Sequence, residues 1–261
     1  MDRFCFTLDE CDSRMAFLKT ELASYHSSSG RLCYIFSPNV LLTPDIVSGL
    51  TDGAVVFYGR QNDDAALLFE RKGLTSFCML NDEEFAAKNA ILTAEATLSI
   101  LIDRSPLALG ELTVLIVGFG RIGAALANYL CRLGVRTTIA TSASPRPARA
   151  FSERAIPLEN LDFAPYDAVI NTVPAQIAKD QQLLTLKPKT LFIELASSPS
   201  INLEFANYVG ADAAQYPALP TKYSPQSAAR IIKEFMMKKL DKLEYYHNEL
   251  AAPTVKNNQK S

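Results

Sequence analysis

Residues 112–134 read LTVLIVGFGRIGAALANYLCRLG: an apolar run, three glycines spaced G-x-G-x-x-G, then an amphipathic stretch. This order constrains the fold more than any other feature of the chain. Glycines in that spacing between a strand and a helix fit the first strand-turn-helix of a parallel α/β domain. Gly118 makes the tight turn, Gly120 keeps a side chain out of the space an anion needs, and Gly123 lets the helix lie close to the strand. The helix N-terminus then offers unpaired N–H groups and the positive end of its dipole to a pyrophosphate. Gly118, Phe119, Gly120, Arg121, Ile122 and Gly123 are therefore expected to hold a dinucleotide. A glycine turn that serves only the fold is the alternative.

The pattern around this turn gives the fold class. Before residue 81, strand-like runs at Phe4–Leu8, Leu32–Phe36, Ala54–Tyr58 and Ser76–Leu80 alternate with helical stretches. Asp12-Ser13 caps a helix to about Tyr25, Pro44-Asp45 opens a short one, and Asp63–Lys72 forms a third. Asn81–Glu84 resembles a cap, and a separate helix is expected to begin at Thr93-Ala94-Glu95 and run to Ile102. Strands follow at Thr113–Val117, Val135–Ala140, Ala168–Asn171, Thr190–Leu195 and Ala211–Gln215. Ser224-Pro225 starts a last helix, with apolar residues from Ala228 to Leu243 at helical spacing. Alternating strands and helices imply parallel sheets. The expectation is an α/β protein: a Rossmann-type doubly wound parallel sheet plus a smaller N-terminal α/β domain. The expected division is 1–92 for the N-terminal domain, 93–222 for the dinucleotide domain, 223–250 for a helix returning toward the first, and 251–261 for a polar tail.

Composition excludes several function classes. A net charge of −2 over 261 residues, with no long basic run, argues against nucleic acid as a partner. No apolar run approaches the roughly 18 residues of a membrane span, and Met1–Thr7 lacks a signal-peptide layout. A cytoplasmic protein without a membrane partner is expected. The five cysteines are scattered with no CxxC pair, so neither a metal site nor a disulfide framework is signalled. His26 and His247 are the only histidines, which limits acid-base chemistry.

The second strand bears on which dinucleotide binds. Enzymes that use NAD usually carry an acidic residue about 20 residues past the glycines, bonded to the ribose hydroxyls. Here the segment is IATSASPRPAR, with no acid. Ser142 and Ser144 can donate to a 2′-phosphate, Arg146 and Arg149 can offset its charge, and Thr141 just before them is expected in the cofactor site. These residues favour NADP, with NAD as the alternative; the arginines also fit a solvated helix start. Val173-Pro174 marks the exit from a later strand.

A GFGRIG turn after TAEATLSIL invites comparison with D-2-hydroxyacid dehydrogenases, but neither His26 nor His247 sits where those enzymes need their histidine. Four stretches together fit another family better. NDEEFAAKNAILTAEATLSILIDRSPLALGELTVLIVGFGRIG, VINTVPAQIA, LFIELASSPS and YPALPTKYSPQSAARII occur in the order seen in the A subunit of dipicolinate synthase. Over residues 81–235 the chain resembles that family. The resemblance implies oxidation of dihydrodipicolinate to dipicolinate in sporulating bacteria, with NADP accepting hydride and, for a partner, a flavoprotein-like B subunit of the same synthase. It further implies that Asn89, Thr93, Ala94, Ser224 and Gln226 face a small dicarboxylate substrate, helped by helix-start N–H groups near Thr93; Lys222 could stand in for the family lysine that Gln226 replaces, with a free surface lysine as the alternative. Glu95 could receive a proton during aromatisation, or could equally stabilise its own helix as a first-turn acid. The resemblance also implies that Asn171, Thr172, Val173 and Pro174 follow a strand and face the nicotinamide end, and that Glu194, followed by Ala196 in the cofactor site, matches an acidic residue at a strand end, with an N-cap or loop contact as the alternative for Glu194. Thr221 and Gln226 depart from the family pattern, which has glycine and lysine there. Those departures keep two rivals open: a reductase or dehydrogenase of another small cyclic imine or carboxylate, and a non-catalytic nucleotide-binding assembly protein. The fold class suits a homodimer, although no residue requires it.

Overall fold

The computed structural model describes residues 4–251, apart from Ala143 and Pro145. The expected tail therefore lies, past Ala251, outside the described residues. The chain divides into two compact units: residues up to Phe85 with Ala229 onward, and Ala86–Ala228.

The first unit runs β1 (Phe4–Leu8), α1 (Ser13–Leu22), β2 (Arg31–Ile35), β3 (Leu41–Leu42), α2 (Pro44–Ser48), β4 (Val55–Tyr58), β5 (Arg60–Gln61), α3 (Asp63–Arg71) and β6 (Thr75–Cys78). Four strands form a parallel sheet in the order β1-β2-β4-β6, and β3 and β5 pair separately. Local chemistry sets the helix starts. The Asp12 carboxylate accepts from Met15 N–H, the Asn62 side chain accepts from Ala65 N–H, and Pro44 occupies the first turn of α2. Arg14 is 2 % exposed and holds Asp12 at 2.9 Å and the Ser37 hydroxyl at 2.7 Å, so its buried charge is paired.

From there α4 (Glu83–Arg104) leads into the second unit, which continues with β7 (Thr113–Val117), α5 (Arg121–Arg132), β8 (Arg136–Thr141), β9 (Arg154–Pro157), β10 (Ala168–Asn171), α6 (Asp180–Leu183), β11 (Leu191–Glu194), α7 (Leu203–Tyr208), β12 (Asp212–Gln215) and α8 (Leu219–Tyr223). The chain ends its described course in α9 (Pro225–Ala251). Six parallel strands lie in the order β12-β11-β10-β7-β8-β9. Within this unit that is the doubly wound Rossmann order, with the reversal between β7 and β10. Apolar cores cover the sheet: Ala94, Leu101, Leu126, Leu130 and Leu219 pack with strand residues in one cluster, and Phe163, Leu183, Phe192 and Ala206 in another. In the first unit, Met15, Leu18 and Leu22 of α1 cluster with Ala229, Ile232, Phe235 and Met236 of α9.

Two points of the sequence reading are corrected, the start of one helix and a missed strand. No helix begins at Thr93: α4 is continuous from Glu83, its Phe85 N–H capped by the Asp82 carboxylate at 3.1 Å. Residues 85–92 contain neither glycine nor proline, so nothing interrupts the helix between the two expected pieces. Thr93 therefore offers no free helix-start N–H; its hydroxyl donates to the Asn89 carbonyl at 3.0 Å. Joined in this way, α4 is also long and apolar enough to cross a membrane by length and composition, with 56 % of its most apolar window buried inside the protein. Finally, β9 is a strand the apolar pattern does not signal, because RAIP is short, edge-placed and begins with a charge.

Candidate functional site

The glycine turn is built as its spacing demands. Gly118 has φ +99°, a conformation that L side chains rarely adopt, and its N–H donates to the Ala140 carbonyl at 2.8 Å. A Cβ there would stand 2.4 Å from the Thr172 hydroxyl and 2.9 Å from Val173 Cγ2. On Gly123 a Cβ would meet the Gly118 carbonyl oxygen at 2.2 Å, so this glycine sets how closely α5 approaches the end of β7. Gly120 differs: a Cβ there meets nothing within 4 Å. It sits at the N-cap of α5 with no side-chain cap bond, so the space before the helix is left open. An open cradle at the positive end of a 12-residue helix fits a pyrophosphate.

Ala140, Val117, Asn171, Glu194 and Gln215 lie side by side in register at the C-terminal ends of five strands. This rim borders the crevice at the strand-order reversal, where open α/β sheets bind ligands. Thr172 ties β10 to β7 there: its N–H and its hydroxyl both donate to the Val117 carbonyl, at 2.9 and 3.0 Å. The Thr172 side chain is thus spent beneath Gly118.

Asn171 and Glu194 are both fully buried. The Asn171 amide nitrogen donates to Glu194 Oε1 at 2.7 Å and to the Val173 carbonyl at 2.9 Å, while its oxygen accepts from Val173 N–H at 3.1 Å. Both amide hydrogens are used, so Asn171 serves the turn that follows it. Glu194 also accepts from Ala196 N–H and Ser200 N–H, each at 2.9 Å, and from the Ser200 hydroxyl. A buried carboxylate is satisfied here by hydrogen bonds. Sequence reasoning places Glu194 at a strand end, with an N-cap or loop contact as the alternative, and the loop contacts to Ala196 and Ser200 are present; the tie to Asn171 is what it misses, because the signal it lacks is that AVIN and LFIE end in register on adjacent strands.

The remaining site residues fall in several places. Thr141 is buried at the end of β8, and Ser142 and Arg146 beyond it are exposed. Phe119 is half-buried and its ring lies 6.4 Å from that of Phe151; Arg121 is exposed and Ile122 half-buried. Val173 is half-buried, Pro174 exposed, and Ala196 buried with its carbonyl accepting from Gln215 at 2.9 Å. Asn89 is half-buried, Thr93 is buried, and Ala94 belongs to the apolar core. Lys222 and Gln226 are exposed, and Ser224 is half-buried between α8 and α9. Glu95 is exposed and accepts from the Tyr129 hydroxyl at 2.9 Å; burial and this carboxylate both push the tyrosine pKa up. Tyr129 lies nine residues past Gly120, about 13 Å along α5 at 1.5 Å per residue. The structure thus anchors Glu95 well along α5 from the phosphate cradle. His26 is in the first unit, where its Nδ1 accepts from Phe6 N–H at 3.2 Å. Among the described residues no cluster could hold a metal ion.

The fold and this site define a Rossmann-type, NAD(P)-dependent oxidoreductase. Residues 101–204 match the D-isomer specific 2-hydroxyacid dehydrogenase NAD binding domain. The chain is similar to the A subunit of dipicolinate synthase from Bacillus subtilis (strain 168), 26 % identical over 227 residues, covering 84 % of this chain and 75 % of that protein. The fold is shared with the crystal structure of the A subunit of dipicolinate synthase from Bacillus halodurans, at TM-score 0.77 and 19 % identity, over 92 % of this chain and 98 % of that one. It is shared too with a transhydrogenase from Sinorhizobium meliloti, at TM-score 0.68 and 14 % identity, over 92 % and 94 %. The likeness to D-2-hydroxyacid dehydrogenases thus holds for the nucleotide domain.

Proposed function

We propose that this chain oxidises dihydrodipicolinate to dipicolinate in the cytoplasm of a sporulating cell, with NADP preferred over NAD. The observation that carries the reading is the open cradle at Gly120 in a chain similar, over most of its length, to one subunit of dipicolinate synthase. Bound nicotinamide supplies the hydride acceptor. The protein's part is positioning: the ring gains aromatic stabilisation as hydride and a proton leave, so alignment matters more than strong acid-base catalysis. This suits a chain whose two histidines, His26 and His247, both belong to the first unit and not to the one that carries the glycine turn.

Lys222, Ser224 and Gln226 supply polar contacts for a substrate carboxylate, and Asn89 adds an amide. Thr93 and Ala94 support the helix behind them. Glu95, tied to Tyr129, is replaced as proton acceptor by water. Ser142, Arg146 and Arg149, exposed after β8, favour a 2′-phosphate. A second type of chain completes the synthase, since the similar protein is named as one of its subunits.

The test is to incubate the chain with dihydrodipicolinate and NADP or NAD, in the presence and absence of a candidate partner chain, and follow dipicolinate by lanthanide luminescence. Formation dependent on the dinucleotide supports the reading. Dinucleotide binding without product, with the partner chain present, overturns it. The departures at Thr221 and Gln226 favour, as a second reading, a related cyclic imine or carboxylate carrying less negative charge.

A further inference from the structure

We infer that Glu194, acting through Asn171, is a positioning residue for the nicotinamide half of the dinucleotide. The inference rests on the class of the protein as a dinucleotide oxidoreductase and is independent of which substrate it oxidises.

Two loops leave the sheet beside the glycine turn, one after β10 and one after β11. Asn171 fixes the first from both sides, with Val173 N–H on its oxygen and the Val173 carbonyl on its nitrogen. Glu194 fixes the second, with Ala196 N–H on one oxygen and both Ser200 donors on the other. The 2.7 Å bond between Asn171 and Glu194 joins the two loops into one hydrogen-bonded unit. Both side chains are fully buried, and Asn171 has no hydrogen left for a ligand. Their effect on a ligand therefore passes through the backbone they hold.

The position of this unit says which ligand half it serves. In a doubly wound sheet the adenosine half lies on the β8 side of the reversal and the second mononucleotide half on the β10 side. Asn171 and Glu194 end β10 and β11, and Thr172 touches the carbonyl just before Gly118. Loosening the pair moves the wall next to the nicotinamide ribose and leaves the β8 side unchanged.

Replacing Glu194 by Gln puts an NH2 where one carboxylate oxygen accepts two bonds. Either Asn171 and Ala196 N–H, or the two Ser200 donors, then face another donor, and a buried backbone N–H loses its acceptor. The gentler Ser200→Ala removes the hydroxyl bond and keeps the rest. The experiment measures the affinity of wild type, E194Q and S200A for NADPH and NADH by fluorescence. In parallel it measures the adenosine fragments 2′,5′-ADP and 5′-ADP by calorimetry, with thermal melting of each variant. The expected result is about ten-fold weaker binding of NAD(P)H by E194Q and a smaller loss by S200A, with fragment affinity unchanged for both. Equal weakening of dinucleotide and fragment shows a general structural role and overturns the inference, as does unchanged NAD(P)H affinity. If E194Q does not fold, S200A alone decides, on the same ratio of dinucleotide to fragment. A wild-type chain that binds no dinucleotide overturns the site and this inference together; a chain that binds dinucleotide but makes no dipicolinate leaves the inference standing and removes only the substrate proposal.

Discussion

The three glycines of one motif do separate jobs, and single substitutions separate them. A side chain at Gly120 enters open space, and the backbone there, φ −81° and ψ −163°, suits any residue. Gly120→Leu is therefore expected to keep its melting temperature within a few degrees while blocking the cradle, with NAD(P)H affinity down more than 100-fold in a fluorescence titration. Gly123→Ala is expected to fail on both readouts, because its Cβ would press on the Gly118 carbonyl, which is backbone and cannot step aside. Overpacking of that kind costs about 1–3 kcal/mol. Cofactor choice is also a matter of single residues. If Arg146 and Arg149 offset a 2′-phosphate, replacing both with Ala should weaken NADPH at least ten-fold and leave NADH nearly unchanged; an equal effect on both leaves the arginines as solvated surface.

Elements explain what the sequence makes legible. The strands at Thr113–Val117 and Ala168–Asn171 match their expected spans because central parallel strands, buried on both faces, read as unbroken apolar runs ended by turn residues. The same logic misses β9, where burial on the sheet edge is partial and the apolar signal fades. It also cuts α4 in two, because the apparent cap at Thr93 is a mid-helix hydroxyl bonded back to Asn89. At the site, glycines are legible since their chemistry is local. The Asn171–Glu194 tie is not, because the two residues are 23 apart in sequence and meet only through strand register. One consequence is testable on α4 itself. Leu101, fully buried in the same cluster as Ile116 and Leu126, holds the C-terminal half of this helix to the second unit's core. Leu101→Ala should cost about 2–5 kcal/mol in denaturant unfolding. A loss near zero would mean that this half of α4 is not fixed by that core.

At the scale of the whole molecule, acid and dinucleotide are expected to act on different units. Asp12 and Asp82, both in the first unit, are carboxylates held below their usual range. Burial pushes Asp12 up, but hydrogen bonds from Arg14 and Ser37 and the guanidinium charge outweigh it. The Lys239 ammonium and the Phe85 N–H pull Asp82 down. A carboxyl whose folded pKa is depressed adds stability above its unfolded pKa, near 3.9 for Asp, and loses that contribution as pH falls through the folded value. Acid should therefore weaken the first unit below about pH 4, and Asp12→Asn should flatten that acid limb. The dinucleotide acts on the other unit, because its cradle, Gly118 to Gly123, lies within Ala86–Ala228. At a free concentration 100 times Kd, a ligand that binds only the folded state adds about 2.7 kcal/mol. Hydrogen exchange read by peptide distinguishes the two effects. NADPH should slow exchange at the start of α5 and in the loops after β10 and β11, while a drop from pH 6 to pH 3.5, corrected for intrinsic rates, should speed exchange around Asp12–Met15 and Ser37. If NADPH protects the α1 cap as strongly as it protects the glycine turn, the two stabilising devices are not separate and the division of labour between the units is wrong.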